Sequence, residues 1–115
     1  MTYEIPAIPP SNNRFIGRTN YREYQRIKKK WAELIALLCR PRPKEPLSGI
    51  TVKISYYFPD NRRRDPDNYS GKMILDGLKN AGIIRDDSFK EISLLLDACF
   101  GSKEAKTVIE IEEDS

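Results

Sequence analysis

Two aspartates one residue apart, Asp65 and Asp67, follow three arginines, Arg62, Arg63 and Arg64, and a lysine, Lys72, stands five residues beyond. A second acidic pair, Asp86-Asp87, comes later. Clustered carboxylates suit a hard divalent cation, because Mg²⁺ takes a few carboxylate oxygens together with water and substrate phosphate. Without a cation such a cluster repels itself. A metal held there would polarise a phosphodiester and activate a water. Lys72 would stabilise the negative charge on the pentacovalent phosphate, and Arg62, Arg63 and Arg64 would hold flanking phosphates. The plainer reading treats Asp65 as the N-cap of a helix and Asp67 as a first-turn acid favoured by the helix dipole.

The rest of the composition narrows the chemistry. The chain has 115 residues and no histidine, which excludes imidazole acid–base catalysis and histidine-ligated zinc. Its two cysteines, Cys39 and Cys99, are far apart and sit among apolar neighbours. They read as small buried hydrophobes rather than a disulfide or a metal knuckle. Charge is asymmetric: residues 1–64 carry a balance of +9 and residues 65–115 one of −6. A basic half suits a phosphate backbone, and the acidic half begins where the ligand candidates begin. No apolar run is long enough to span a bilayer and no basic-then-apolar leader opens the sequence, so the expectation is a cytoplasmic protein with no membrane partner and no small-molecule cofactor.

The elements that must position these residues are legible as a pattern. TYEIPAI is a short strand ended by Pro9-Pro10, and PPSNNRFIGRTN is a loop. Ile27, Trp31, Leu34, Ile35 and Leu38 recur at helical spacing from about Tyr21 to Leu38, with Arg22, Arg26, Lys29 and Lys30 on the other face. GITVKISYYF alternates as a strand. A second helix is expected to begin with Pro66 in its first turn and to close at Gly82. On a continuous helix Gly71, Ile74, Leu75 and Leu78 share the core side, Asp65, Lys72, Asp76 and Lys79 lie opposite, and Asp67 projects toward the apolar side. IIRDDS is a short extended piece. EISLLLDACF and AKTVIEIEE are strands, joined as a hairpin around Gly101-Ser102. The expected fold is one α+β domain over residues 1–115, in the order β-α-β-α-β-β, with two helices on a mixed or antiparallel sheet of about four strands. All five aspartates are then expected to converge on one small region.

RDPDN, a lysine four residues before the aspartate of LDGL, and AGIIRDDS together resemble the RusA family of Holliday junction resolvases. The opening PPSNNR and the basic helix after it are similar too, so the resemblance covers nearly the whole chain. It implies an intertwined homodimer that makes paired, Mg²⁺-dependent incisions across a four-way DNA junction in recombination and repair, with Mn²⁺ able to substitute. By motif it assigns the metal ligands to Asp65, Asp67 and Asp87, with Asp86 the competing choice, the catalytic lysine to Lys72, and the arginine before the first aspartate to Arg64. One departure is an extra residue between Asp67 and Lys72, to be absorbed at the helix start with Gly71 giving the slack.

Further candidates carry two readings each. Asp76 either supports the ligands or is an exposed helix charge. Phe15, flanked by Arg14 and Arg18, either stacks on an unpaired base or anchors its loop. Lys29 and Lys30 extend the basic surface. Asp97 reads as a sheet-surface residue rather than one bordering the site. The alternative functions are a less selective branched-DNA nuclease and a non-catalytic DNA-binding protein of the same fold.

Overall fold

The alternation in ITVKISYY buries Ile50, Val52, Ile54 and Tyr56 on one face and makes this strand the centre of the sheet. The structure, a computed structural model, describes residues 1–12 and 21–114. It contains β1 (Thr2–Ile5), α1 (Tyr21–Leu38), β2 (Ile50–Tyr57), a 3₁₀ turn (Pro66–Asn68), α2 (Lys72–Asn80), β3 (Ile92–Cys99) and β4 (Lys106–Glu113). The element order and the α+β class are those expected from the sequence. The sheet is mixed, with spatial order β1-β4-β2-β3.

Both helices pack on one face. α1 buries Ile27, Trp31 and Ile35, spaced at four residues, and α2 buries Met73, Ile74, Leu75 and Leu78. These meet Tyr3 and Ile5 of β1, the even-numbered residues of β2, and Ile109 and Ile111 of β4 in one core. Gly77 lets the helices approach closely, since a Cβ there would lie 2.5 Å from Ile35 Cδ1.

Three expectations are corrected. The first is the hairpin. β3 and β4 are not neighbours, because β2 lies between them, parallel to β3 and antiparallel to β4. A parallel β2–β3 pair needs a crossover, and α2 supplies it. The segment after β3 then passes the end of β2, where Phe58 N–H donates to Cys99 O and Ser102 N–H to Phe58 O.

The second concerns the start of the second helix. Pro66–Asn68 forms a 3₁₀ turn, and α2 begins only at Lys72. Gly71 separates the two with φ +80, a left-handed conformation that breaks helical phase. A side chain at Gly71 would also strike Ile54, with Cβ 2.7 Å from Cδ1. The projection from Lys72 onward holds, but Asp67 lies before the break and is exposed rather than turned to the apolar side.

The third is Cys99. Cys39 is buried, and burial pushes its thiol up to about 11, but Cys99 is exposed because β3 is an edge strand. The IIRDDS piece is extended where expected: Leu47 N–H donates to Ile83 O and Arg85 N–H to Leu47 O.

Candidate functional site

The loop leaving β2 is organised by a carboxylate outside the D-x-D motif. Asp60 accepts the Arg62 main-chain N–H at 3.0 Å, the Arg64 guanidinium at 2.8 Å and Arg62 Nε at 3.3 Å. Arg64 is the largest cause holding the Asp60 carboxyl far below the usual carboxylate range, followed by the Arg62 main-chain N–H and side chain. The Arg64 guanidinium lies 4.1 Å from the centre of the Phe58 ring. Its side chain is only 12% exposed, against 81% for Arg62 and 89% for Arg63. The three arginines thus divide: Arg62 and Arg63 face solvent, and Arg64 is built into the wall of the loop.

Asp65 sits before Pro66, which excludes the α region, and its backbone is extended at φ −102, ψ 140. It takes the N-cap position of the 3₁₀ turn without a side-chain capping bond. Its carboxylate instead meets Arg63 Nε at 3.1 Å. The turn is tied to the N-terminal segment by Asn12, whose Nδ2 donates to Asp67 O at 3.0 Å and to Ser70 Oγ at 3.2 Å. Lys72 is exposed as the first residue of α2, with Nζ 6.0 Å from the Tyr24 ring. A cation there stands against the positive end of its own helix dipole, and no acidic residue in the first turn offsets it. The start of α2 is therefore doubly positive.

Beside this loop lies a cavity of about 250 Å³, lined by Tyr56, Phe58, Arg64, Tyr69, Leu96 and Ala98, with Asp65, Pro66 and Asp97 also in its lining. Tyr69 stands edge-on to both Tyr56 (5.8 Å) and Phe58 (5.2 Å). Burial pushes the Tyr56 phenol well above its ordinary range. Asp97 is exposed on the sheet edge, as expected, and also lines this cavity; its Oδ1 accepts the Ala98 N–H at 2.8 Å.

The distal pair splits as the loop after β2 does. Asp86 accepts the Asp87 N–H at 2.8 Å and pairs with Lys79 at 3.1 Å. The main-chain bond first, and Lys79 second, hold its carboxyl below the usual range. Asp87 is exposed. Asp76 pairs with Lys28 of α1 at 3.5 Å and so ties the two helices together. The contact fits the reading of Asp76 as a helix charge, half-buried rather than exposed.

The expected convergence of five aspartates is not found: among the described residues no group of three or more His, Cys, Asp or Glu is placed to hold a metal ion. Asp76 is held against α1 and Asp86 against the end of α2, while Asp65 leans on Arg63. The donor type nonetheless fits Mg²⁺. Asp65 and Asp67 flank one proline on a solvent-facing turn, and Mg²⁺ is commonly held by one or two carboxylates with substrate phosphate and water.

Lys29 and Lys30 are exposed on α1 together with Arg22 and Arg26, as expected for a basic surface. Arg14, Phe15 and Arg18 lie outside the described residues. Asp60 and the Tyr56–Phe58–Tyr69 cluster were missed as site residues. The signal available was a run of aromatics at a strand end followed by Pro-Asp. No helix among the described residues is long and apolar enough to cross a membrane. No family model matches the chain, and the search of curated proteins found no similar one.

Proposed function

We propose that this chain is a Mg²⁺-dependent, structure-selective endonuclease that resolves four-way DNA junctions by paired symmetric cleavage, similar to the RusA family. The observation that carries the reading is the pair Asp65 and Asp67 on an open turn. Two exposed arginines, Arg62 and Arg63, precede it, and the positive start of α2 follows. Carboxylates on a surface that is otherwise basic oppose phosphate unless a cation joins them. A DNA-binding surface gains from such a pair when it holds metal.

In this reading Asp65, Asp67 and Asp87 would hold the ion. The ion supplies Lewis-acid charge to the phosphodiester. Arg62 and Arg63 hold phosphates either side of the cut. Lys72, with the N–H groups of the first turn of α2 behind it, stabilises negative charge developing on the scissile phosphate. Arg64 is a positioning residue: through Asp60 it fixes the loop from which Asp65 projects. A homodimer supplies two equivalent sites for two symmetric cuts.

A non-catalytic branched-DNA-binding protein is the second reading, favoured by the ion pairs Arg63–Asp65 and Lys79–Asp86. A synthetic four-way junction and a linear duplex of the same sequence, incubated with Mg²⁺ or EDTA, separate the two. Paired nicks on the junction only, abolished by EDTA, are expected. Equal cutting of the duplex would demote the protein to an unselective nuclease, and tight binding without cutting would favour the binder.

A further inference from the structure

We propose that the aromatic cavity beside Asp65 receives one unstacked nucleobase of the bound DNA. The inference rests on the reading of the protein as a branched-DNA nuclease and adds the structural feature it grips. The cavity, about 250 Å³, has room for a single planar base. Its walls are the kind that hold one: the half-buried Tyr69 ring and the Arg64 guanidinium border it, backed by Tyr56 and by Phe58, which is itself covered by Arg64 at 4.1 Å and stacked on Phe100. Bases stack on both aromatic rings and arginine planes, and do so whatever their sequence.

One side of the cavity is polar in the way a base edge requires. Phe58 N–H donates to Cys99 O and Gly49 N–H to Glu91 O. The odd-numbered residues of β3 therefore turn their main-chain groups toward β2, and the even-numbered ones, Leu96 and Ala98 among them, turn theirs outward. Because β3 is the edge of the sheet, the outward donor and acceptor of Leu96 meet no further strand among the described residues. Asp97, whose Oδ1 covers the Ala98 N–H, adds an acceptor at the rim.

The position favours DNA as the source of the occupant. Asp65 lines the same cavity, and the exposed Arg62 and Arg63 precede it immediately. A strand whose phosphate reaches Asp65 brings a neighbouring base to the opening. In a continuous duplex that base is held by its stack, whereas at a branch point unstacking costs least. The cavity thus gives the protein a means of telling a junction from a duplex without reading sequence.

An abasic scan tests this with full-length protein in EDTA, which isolates binding from cutting. Four-way junctions carrying one abasic site at each position around the branch point are titrated against wild type, Ala98→Leu and Tyr69→Leu. Ala98 lies exposed on the edge strand, so a leucine there fills the cavity without entering the core. Wild type is expected to lose about tenfold in affinity at one abasic position near the branch. Both variants are expected to bind intact and abasic junctions equally. If no position matters, or if Ala98→Leu keeps the wild-type dependence, the inference fails while the nuclease reading stands, as cleavage of the intact junction in Mg²⁺ would show. Failure to bind any junction overturns both. If Ala98→Leu instead converts a dimer to a monomer and leaves the base dependence intact, the cavity belongs to a second copy of the chain and the base reading is wrong.

Discussion

The two acidic loops, one running from Asp60 to Gly71 and the other from Arg85 to Glu91, follow a common plan. In each, one carboxylate accepts a main-chain N–H one or two residues ahead and pairs with a cation: Asp60 with the Arg62 N–H and Arg64, Asp86 with the Asp87 N–H and Lys79. In each, a later carboxylate, Asp67 or Asp87, stands exposed. They differ in anchorage. The first loop is fastened on two sides, by Arg64 over Phe58 and by Asn12 reaching back from the N-terminal segment. Among the described residues the second is fastened by side chain only through the last turn of α2, with main-chain bonds at its ends, from Arg85 N–H to Leu47 O and from Gly49 N–H to Glu91 O. The lesson is that adjacent aspartates divide labour according to the amides and cations in reach. Carboxylates that shape a loop are not those it presents.

The largest effect should come from the presented carboxylates. Asp67→Asn and Asp87→Asn are each expected to lower junction cleavage by at least about 100-fold, the upper end of the loss seen for residues that only support a metal ligand, with thermal stability unchanged. Asp60→Asn and Asp86→Asn should do the converse, lowering the melting temperature while reducing cleavage less. A result in which Asp86→Asn is the inactive member of its pair would reverse the assignment in the second loop.

Gly77→Ala gives a reference for pure packing loss. The added methyl gains up to about 1 kcal/mol in helix propensity. It meets fully buried Ile35 at 2.5 Å, and overpacking costs about 1–3 kcal/mol. A net loss of about 1 kcal/mol in urea denaturation is expected, without change in activity per folded molecule.

The three arginines divide in the same way. Arg62→Ala and Arg63→Ala should each weaken binding at every sequence and lower the salt slope by about one. Arg64→Ala should leave that slope nearer wild type and loosen the loop instead, read as lower stability.

The smallest effect is a pH dependence. The Asp60 and Asp86 carboxyls have folded-state pKa values below their unfolded ones, near ~4. Their stabilisation is therefore complete above that value and is lost as pH falls through the folded-state pKa. The Lys79 ammonium is raised by Asp86, so its share persists below its unfolded pKa and is lost as pH rises through the folded one. The gap in melting temperature between wild type and Asp86→Asn should thus narrow below about pH 4 and again in strong alkali.

Much of this architecture was legible because it is local. The spacing of Ile27, Trp31 and Ile35 marks α1 with its observed bounds, and alternation marks β2. What the sequence hid is non-local. Whether β3 pairs with β4 or with β2 depends on which strand takes the centre of the sheet, and both partners offer alternating apolar faces. The cavity follows from that choice, since only the parallel β2–β3 register brings Ala98 beside Tyr56 and Leu96 beside Ile54. The helix start failed for one residue: Gly71 at positive φ resets the phase, and a projection across it cannot place Asp67. The roles of Asp60 and Arg64 were hidden because they arise from each other's folded positions.

Single-turnover cleavage of a four-way junction by wild type and Asp65→Asn, with affinity for the same junction measured in EDTA, shows whether Asp65 serves cleavage rather than binding. Mg²⁺-dependent paired nicks are expected for wild type, lost by at least about 100-fold in the variant, while both bind the junction with similar affinity. Equal cleavage by the two proteins would contradict this expectation, as would a wild type that binds tightly and leaves the junction whole in both Mg²⁺ and Mn²⁺.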